Sequence, residues 1–400
     1  MKHAQCYSRF CGIDVAKDKH AACIIDPDGG LLLRSCSFGN HAEGYQHILG
    51  RLHEAGGPDK VFVAMEATGH YWYSLHDFLI RNGYHVAVLN PLQTAQQAKK
   101  AIRKRKTDKI DARHIATLIK NGEHRLSLVP GELGMTCRQL TRLRYAMISQ
   151  TTRLKQLLWA RLHPVWPEFE TLFANPLCLT GRTLLAAAPT PADLLAINQE
   201  QLTELIRRTS RGKFGPVQAE KIRQAATNSV GMHRGLEGAR VSIRTLLTQM
   251  DALAPVRRQL EDQITALADR LPSYTMTLPG ADPIRAVSLF GETDPIKAFA
   301  TPEQLVAFAG LDLSVFQTGQ YQAASRHISK RGSPILRRTL WAMAHRAIYQ
   351  EGDLREYYLR KRAKGLHHLA AVTAVAIKHC RISWRVLTDR RDYLPQAPHA

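Results

Sequence analysis

The sequence GIDVAKDKHAACIIDPDGGLLLRSCSF, residues 12–38, contains three short apolar runs separated by turn residues. Residues 12–15 form the first run and are interpreted as a brief strand. Residues 20–26 and 31–38 flank PDGG, residues 27–30, a turn sequence typical of a β-hairpin. We therefore predict that three strands open the fold.

Helical and strand patterns alternate in the residues that follow. The periodicity of the apolar residues predicts helices over residues 41–55 and 73–81, and strands over residues 61–65 and 85–89. A hairpin followed by alternating helices and strands predicts an α/β domain in which a mixed sheet carries helices on its faces.

From about residue 131 the strand pattern disappears and an all-α pattern takes over. One basic amphipathic helix is expected near residue 140. Leucines then recur every seven residues, which is typical of a coiled-coil arm. Pro255 interrupts this stripe, and we expect a kink or two shorter helices there, because proline removes an intrahelical hydrogen bond. The four leucines are Leu246, Leu253, Leu260 and Leu267.

The charge balance of the chain is strongly basic. Among its 400 residues, 55 Lys and Arg face 34 Asp and Glu, which leaves a formal net charge of +21. Nucleic acid is the polyanion that best explains this excess, because each neutralised phosphate releases counterions. Seven scattered cysteines without a C-x-x-C pair, together with the lack of a long apolar segment, predict a cytoplasmic protein with no membrane anchor.

Four carboxylates stand at positions suited to a metal site. Asp14 ends the first predicted strand in GIDVAK, and Glu66 ends a later one in VAMEATG. Asp108 and Asp111, in KTDKIDAR, are three positions apart at a predicted helix start, so both would emerge on one face. Oxygen ligands of this kind select Mg²⁺ or Mn²⁺, and two such ions about 4 Å apart can hold the attacking and leaving oxygens of a phosphodiester.

Each carboxylate also has a simpler interpretation. An isolated Asp at a strand end is commonly a turn former, and Asp108 beside Thr107 could serve as a helix cap. The occurrence of all four in a basic protein, in an order compatible with one sheet edge, favours the metal site.

The segments around these carboxylates carry a family resemblance. GIDVAK, EATG and KTDKIDAR together resemble the DEDD insertion-sequence transposases, which are related to the Piv site-specific DNA invertases. The resemblance continues through FAGL, residues 308–311, and ISKRG, residues 328–332, to Arg337 and Arg338. It therefore covers both ends of the chain.

This resemblance implies a fold and an activity. The expected domains are an RNase H-like (RuvC-like) domain over residues 1–128, a helical and coiled-coil region over 129–271, and a mainly helical C-terminal transposase domain over 272–400. Members of the family look like recombinases that a bridge RNA guides to donor and target DNA, and that work as a dimer or tetramer. The resemblance assigns metal binding and phosphate positioning to Asp14, Glu66, Asp108 and Asp111.

The resemblance also implies a nucleophilic serine directly before a glycine in a C-terminal loop. The matching segment here is VFQTG, residues 315–319, which places Thr318 at that position. A threonine hydroxyl can act as a nucleophile, but its extra methyl group restricts χ1 and crowds the attack on phosphorus. Slower chemistry, an inactive copy, or a Thr-Gly turn without chemistry are the alternatives. Ser314 and Ser325 are displaced from the motif and rank below Thr318.

Other candidates carry weaker signals. Lys330, Arg331, Arg337 and Arg338 are expected to contact nucleic-acid phosphates, with a solvated helix face as the alternative. Residues 278–282, LPGAD, could begin a helix-hairpin-helix motif, and residues 70–72, HYW, could stack on a base or belong to the core. The pair His367-His368 lacks partners at metal-ligand spacing.

Three functions remain open from the sequence. The favoured one is a Mg²⁺-dependent, RNA-guided DNA transposase or site-specific recombinase. The alternatives are a metal-dependent nuclease of the junction-resolving type and a catalytically inactive DNA-binding relative.

Overall fold

The structure of the protein is a computed structural model that divides into two compact units, Met1–Val129 and Pro130–Ala400. Its described residues are 7–67, 69–89, 108–122, 127–313, 317–318, 321–322 and 327–395, and the backbone alone is described for 108, 109, 317, 318, 321 and 322. The predicted mixed sheet followed by a mainly helical remainder is confirmed. The further division at residue 271 stays a prediction.

A five-stranded mixed sheet forms the centre of the first unit. Its strand order is β3-β2-β1-β4-β5. The opening hairpins are antiparallel, whereas β4 pairs parallel with β1 and β5 pairs parallel with β4. The strands are β1 (Arg9–Asp14), β2 (Lys19–Ile25), β3 (Leu31–Gly39), β4 (Val61–Glu66) and β5 (His85–Leu89).

Three helices of the first unit have described bounds: α1 (Ala42–Glu54), α2 (Trp72–Arg81) and α3 (Asp108–Lys120). Alternate residues of a strand point to opposite faces of the sheet, and both faces are apolar here. One face packs Ile13, Val63 and Val88 together with the apolar side of α1 and α2. The opposite face packs small residues such as Ala64 against α3. The sheet is therefore buried between two helical layers.

The first strand begins three residues earlier than its pattern predicts. The prediction was residues 12–15, and the strand spans Arg9–Asp14. Phe10 and Cys11 are both buried, one on each face, so a continuous apolar run hides the strand's start. Asp14 therefore ends the strand, as the metal-site hypothesis requires.

The second unit is built from helices, together with a short hairpin of strands β6 (Gln317–Thr318) and β7 (Tyr321–Gln322). Two long helices, α4 and α9, pack against each other in opposite directions, because residues near the start of α4 contact residues near the end of α9. An insert of shorter helices connects them. The helices are α4 (Glu132–Leu162), α5 (Leu179–Ala187), α6 (Pro191–Leu195), α7 (Gln199–Thr209), α8 (Pro216–Thr227), α9 (Leu236–Leu267), α10 (Pro283–Thr293), α11 (Pro302–Phe308), α12 (Pro334–Ala347), α13 (Asp353–Ala363) and α14 (His368–Asp389).

Helix α9 runs without a break through Pro255, so the two-helix alternative is wrong. Pro255 and Asp251 are exposed, and water can therefore hydrate the Asp251 carbonyl that loses its donor. The heptad leucines Leu260 and Leu267 are buried with Met147 of α4, so this stripe packs within the chain. A coiled coil with another chain stays a prediction.

Among the described residues, no helix combines the length and the apolar character needed to cross a membrane.

Candidate active site

Asp14 and Glu66 end two neighbouring parallel strands. The register pairs Gly12 with Ala64 and Ile13 with Met65. Continuing that register by one residue places Asp14 beside Glu66, where adjacent strands lie about 4.8 Å apart. Both residues are half-buried, and both face the same side of the sheet as Gly12 and Ala64. The sheet therefore brings two of the four predicted ligands together.

Gly12 lets helix α3 rest directly on this face of the sheet. A Cβ atom at Gly12 would overlap the Ala112 carbonyl oxygen and the Ala116 amide nitrogen, and would lie 3.0 Å from the Ile115 Cβ. Glycine inside a strand commonly marks such a close backbone approach. Packing against α3 thus requires glycine two residues before Asp14.

Asp111 directly precedes Ala112 on α3 and is half-buried. It therefore belongs to the helix that covers the face carrying Asp14 and Glu66. Among the described residues, no group of three or more His, Cys, Asp or Glu side chains is placed to hold a metal ion. The Asp108 side chain lies outside the described residues, so the complete set of four stays a prediction.

We predict that Gly12→Val pushes α3 off the sheet. Since helix backbone rather than a flexible side chain occupies the space, the free energy of unfolding of the first unit should fall by about 3 kcal/mol, the upper end of the overpacking range. Native-state hydrogen exchange of the β1 and β4 amides measures this change.

Gly50→Ala is the matched control, because nothing lies within 4 Å of a Cβ at Gly50 in the exposed face of α1. Alanine there should stabilise the helix by about 0.5–1 kcal/mol. Unchanged exchange in Gly12→Val would contradict the close contact between α3 and β1.

His20 fixes the turn that follows Asp14. Its Nδ1 accepts a hydrogen bond from the Ala16 amide at 3.2 Å, and its side chain is fully buried. Burial lowers the pKa of His20, while a hydrogen bond with Asn40 raises it less. The imidazole is therefore neutral, and the turn keeps its acceptor at neutral pH.

A basic groove runs between β3 and α3. It has a volume of about 620 Å³. Arg34 approaches from β3 and Arg113 and His114 from α3, with hydroxyl groups of Ser35 and Thr117 between them. These groups can bind phosphate oxygens through charge-assisted hydrogen bonds. Arg113 and His114 belong to the same helix as Asp111, so the groove lies along that helix.

Thr318 lies in the short hairpin of the second unit, where it pairs with Tyr321. Its side chain is outside the described residues, as are Ser314 and Ser325. The backbone on either side of this segment is joined by a β-bridge between Leu313 and Ile328 and by main-chain hydrogen bonds. We call the two joined stretches, residues 308–313 and 328–333, the loop anchor. These bonds are Ser329 N to Asp312 O at 2.8 Å, Lys330 N to Gly310 O at 3.1 Å and Ser333 N to Phe308 O at 2.8 Å.

Two of the four predicted phosphate-binding residues, Lys330 and Arg331, belong to the loop anchor. Lys330, Arg331 and Arg338 are exposed. Arg337 is half-buried and donates from Nη1 to the Ala309 carbonyl at 3.0 Å, so it also holds the loop structure. Contact with nucleic acid remains a prediction for all four residues.

Comparison with known proteins identifies the family of this chain. A DEDD transposase model of the IS110 type matches residues 11–167, and a model described as "Transposase IS116/IS110/IS902 family" matches residues 273–359. The chain belongs to the IS110 transposase family. The first match includes the four predicted carboxylates. The second includes the loop anchor and the four predicted phosphate-binding residues.

Individual relatives agree with this family. The chain is 26% identical over 393 residues to an uncharacterized 44.8 kDa protein of insertion element IS116 from Streptomyces clavuligerus, with 97% of each chain covered. It is 24% identical to a 43.6 kDa protein of insertion element IS110 from Streptomyces coelicolor, covering 97% of this chain and 96% of that one. It is also 32% identical over 104 residues to the pilin gene-inverting protein of Moraxella bovis, which is 26% of this chain and 31% of that protein.

A buried ion-pair network holds the loop anchor of this transposase in position. Glu292 of α10 is fully buried and receives two hydrogen bonds from Arg142 of α4, at 2.7 and 3.1 Å. Arg138 lies 3.7 Å away, and the Ser333 hydroxyl donates to Glu292 at 2.7 Å. Because Ser333 also caps α12, the network links α4 and α10 to the end of the basic segment.

We predict that Glu292→Gln destabilises the second unit by about 3 kcal/mol, because it removes the buried negative charge that Arg138 and Arg142 face. Urea unfolding followed by circular dichroism measures this loss. Glu204→Gln is the control, since Glu204 and Arg207 form an exposed pair on α7 and solvent screens it. A loss of similar size in both variants would contradict the role of burial.

The same network should make stability depend on pH. Burial alone would raise the pKa of Glu292, but the hydrogen bond and charge of Arg142, the Ser333 hydroxyl and Arg138 outweigh it and hold the pKa below its ordinary value of 4.5. A carboxyl with a lowered folded pKa contributes stability above the unfolded pKa and loses it as pH falls through the folded pKa. Wild-type stability should therefore fall below about pH 4.5 more steeply than that of Glu292→Gln.

Among the described residues, the weaker candidates, residues 278–282 and 70–72, make contacts within the protein. Gly280 of the LPGAD loop donates its amide to Gln350 at 3.1 Å, and the Pro279 carbonyl bonds His379 at 2.8 Å, so this loop is held from within. Trp72 is buried in the core, while His70 is exposed and contacts the Tyr71 ring. The core alternative therefore holds for Trp72.

Sequence reasoning missed the supporting residues. Gly12 stood in the quoted motif, and an isolated glycine in a strand was a signal of close backbone approach. Glu292 was also visible as an acid inside the apolar stretch of α10. Arg34 had no signal, and Arg113 stood in KTDKIDAR without a role of its own, because the groove depends on how β3 and α3 pack.

Proposed function

We propose that this transposase cuts and rejoins the DNA of an insertion sequence, with Mg²⁺ or Mn²⁺ held by Asp14, Glu66, Asp108 and Asp111. The observation that carries the proposal is the placement of Asp14 beside Glu66 on the face that α3 covers. Site formation at the carboxyl ends of parallel strands is the general rule for such sheets.

The sheet supports an RNase H-like assignment for the first unit. Three antiparallel strands open the sheet, and two further strands run parallel to β1. A helix bearing Asp111 then returns to β1 and β2. The RNase H-like (RuvC-like) domain that the resemblance implies would bring the carboxylates of β1, β4 and this helix to one site.

The donor set fits a hard divalent cation. Asp14, Glu66 and Asp111 offer oxygen ligands, which Mg²⁺ prefers, and Mg²⁺ usually keeps several waters rather than an all-protein cage. Asp108 and a substrate phosphate would complete such a set, with water in the remaining positions. When bound, the cation would polarise the phosphodiester and stabilise charge on its oxygens.

The chain's own residues would then transfer the DNA strand. The Thr318 hydroxyl loses its proton and its oxygen forms a bond to phosphorus, while the bond from phosphorus to a deoxyribose oxygen breaks and that oxygen takes a proton. The product is a phosphothreonyl link and a free DNA hydroxyl. Attack of a DNA hydroxyl on this link reverses the bond changes and joins the strand to a new partner.

Donor and target DNA are the proposed partners, with a bridge RNA as the guide and a dimer or tetramer as the active assembly. Support comes from the excess of basic residues and from their placement in the groove of Arg34 and Arg113 and in the exposed segment of Lys330 and Arg331. Phosphate contacts of this kind position nucleic acid without reading its sequence, which leaves sequence recognition to pairing with an RNA.

The test is to incubate the full chain with its copurified RNA, supercoiled donor and target plasmids, and Mg²⁺. Recombinant junctions that disappear with EDTA support the proposal. Hydrolysed DNA ends without junctions would favour the metal nuclease of the junction-resolving type. A shift in the electrophoretic mobility of the DNA without any cleaved or joined product would favour the inactive DNA-binding relative.

A further inference from the structure

Helix α12 and the turn that follows it carry a row of aromatic rings. Trp341 and His345 are one helical turn apart, with ring centroids 5.2 Å apart and planes inclined by 16°. Tyr349 lies in the turn after α12, and its ring centroid is 5.4 Å from that of His345. These two contacts make the three rings a continuous row.

The row extends onto the two following helices. His368, the first residue of α14, lies 6.0 Å from His345. The Tyr358 hydroxyl of α13 bonds His368 Nδ1 at 2.9 Å. This bond and the ring contacts fix the five residues relative to one another, and we call Trp341, His345, Tyr349, Tyr358 and His368 the ring row.

The ring row is open to solvent. Tyr349 is 68% exposed, and the other four members are half-buried. By contrast, Trp166 and Phe169 in the insert are fully buried. The Tyr349 ring therefore leaves surface uncovered, although covering it would contribute to stability.

Basic residues lie on the same helices as the ring row. Arg338 lies three positions before Trp341 on the same face of α12, and Arg346 is exposed beside His345. Helix α13 has Leu354 as its buried residue and carries four basic residues. A helix of this composition faces solvent or a polyanion rather than a core. The four are Arg355, Arg360, Lys361 and Arg362.

We propose that the ring row is a stacking platform for unpaired bases of single-stranded DNA. Exposed aromatic rings flanked by cations bind single strands, because bases stack on the rings and phosphates bind the cations. A duplex cannot use the rings in this way, since its bases already stack on each other. The inference rests on the proposed function, because it takes DNA as the polyanion. Strand transfer on DNA would supply the unpaired bases.

The test compares Tyr349→Ala, Tyr349→Phe and Leu359→Ala in the full chain. Binding to fluorescent oligothymidine of about 20 nucleotides, longer than a typical single-strand site, is measured by anisotropy in EDTA. Tyr349→Ala should bind roughly 5- to 150-fold more weakly, the loss of one stacked base. Tyr349→Phe keeps the π-face and should bind like wild type, as should Leu359→Ala, which removes a 53% exposed side chain without a ring.

Duplex DNA of the same length decides the interpretation. Its affinity should be unchanged by Tyr349→Ala. An equal loss on duplex, a loss in Tyr349→Phe or Leu359→Ala, or unchanged oligothymidine binding by Tyr349→Ala would overturn the platform. Tenfold tighter binding of oligouridine than of oligothymidine would overturn the choice of DNA. The binding assay is done in EDTA and therefore does not depend on cleavage. If the protein binds oligothymidine as expected but does not cut DNA when Mg²⁺ is added, that result contradicts the proposed function and leaves the stacking platform standing.

Discussion

Asp14→Asn should reduce DNA strand cleavage by about a thousandfold or more while leaving duplex binding within a few-fold of wild type. The substitution keeps the size of the side chain but removes the charge that would hold the cation beside the scissile phosphate. Metal ions contribute several kcal/mol of transition-state stabilisation, and each 1.36 kcal/mol changes the rate tenfold. Single-turnover cleavage of labelled donor DNA and a mobility shift without metal measure the two effects.

Asp18→Asn is the control for that experiment, because it removes the same charge from an exposed position in the turn after β1. It should cleave like wild type. The assignment fails if Asp14→Asn cleaves at a rate near that of wild type, or if both variants lose activity to the same degree.

Thr318→Ala should abolish the covalent protein–DNA adduct, because no hydroxyl remains at that position to form the bond to phosphorus. Thr318→Ser should give at least as much adduct as wild type, since serine lacks the methyl group that restricts χ1. Denaturing gels of protein incubated with labelled DNA and Mg²⁺ detect the adduct.

Ser314→Ala and Ser325→Ala are matched controls within the same segment. Both should keep the adduct. An adduct that survives Thr318→Ala but disappears in either control would move the nucleophile to that serine. Hydrolysed DNA without an adduct in wild type would instead support the junction-resolving nuclease.

Much of the first unit followed from the sequence because its signals are local. Apolar runs separated by PDGG identified the opening strands, and the order of strands and helices was predicted through β5. The start of β1 was missed because Phe10 and Cys11 continue the apolar run on both faces. Alternation locates a strand end poorly when neither side of the sheet is exposed.

The sequence indicates the residue types of the candidate site but not the residues that support it. Asp14 and Glu66 could be placed at strand ends from the sequence, and the parallel register brings those ends together. The partners of Glu292 lie about 150 residues before it and 41 residues after it, so no local pattern connects them. The ring row likewise joins α12 to α14 across a turn and a further helix.

The long pair of helices α4 and α9 passes through two separate hydrophobic cores. One core contains Trp166 and Phe169 of the insert, and the other contains Met147 and Leu260 near the Glu292 network. Residues 163–235 can therefore be lengthened, shortened or exchanged in evolution as a cassette at the far end of the pair. Such changes would alter what the cassette contacts without disturbing the ion pairs of Glu292, which lie beside the segment of the proposed nucleophile.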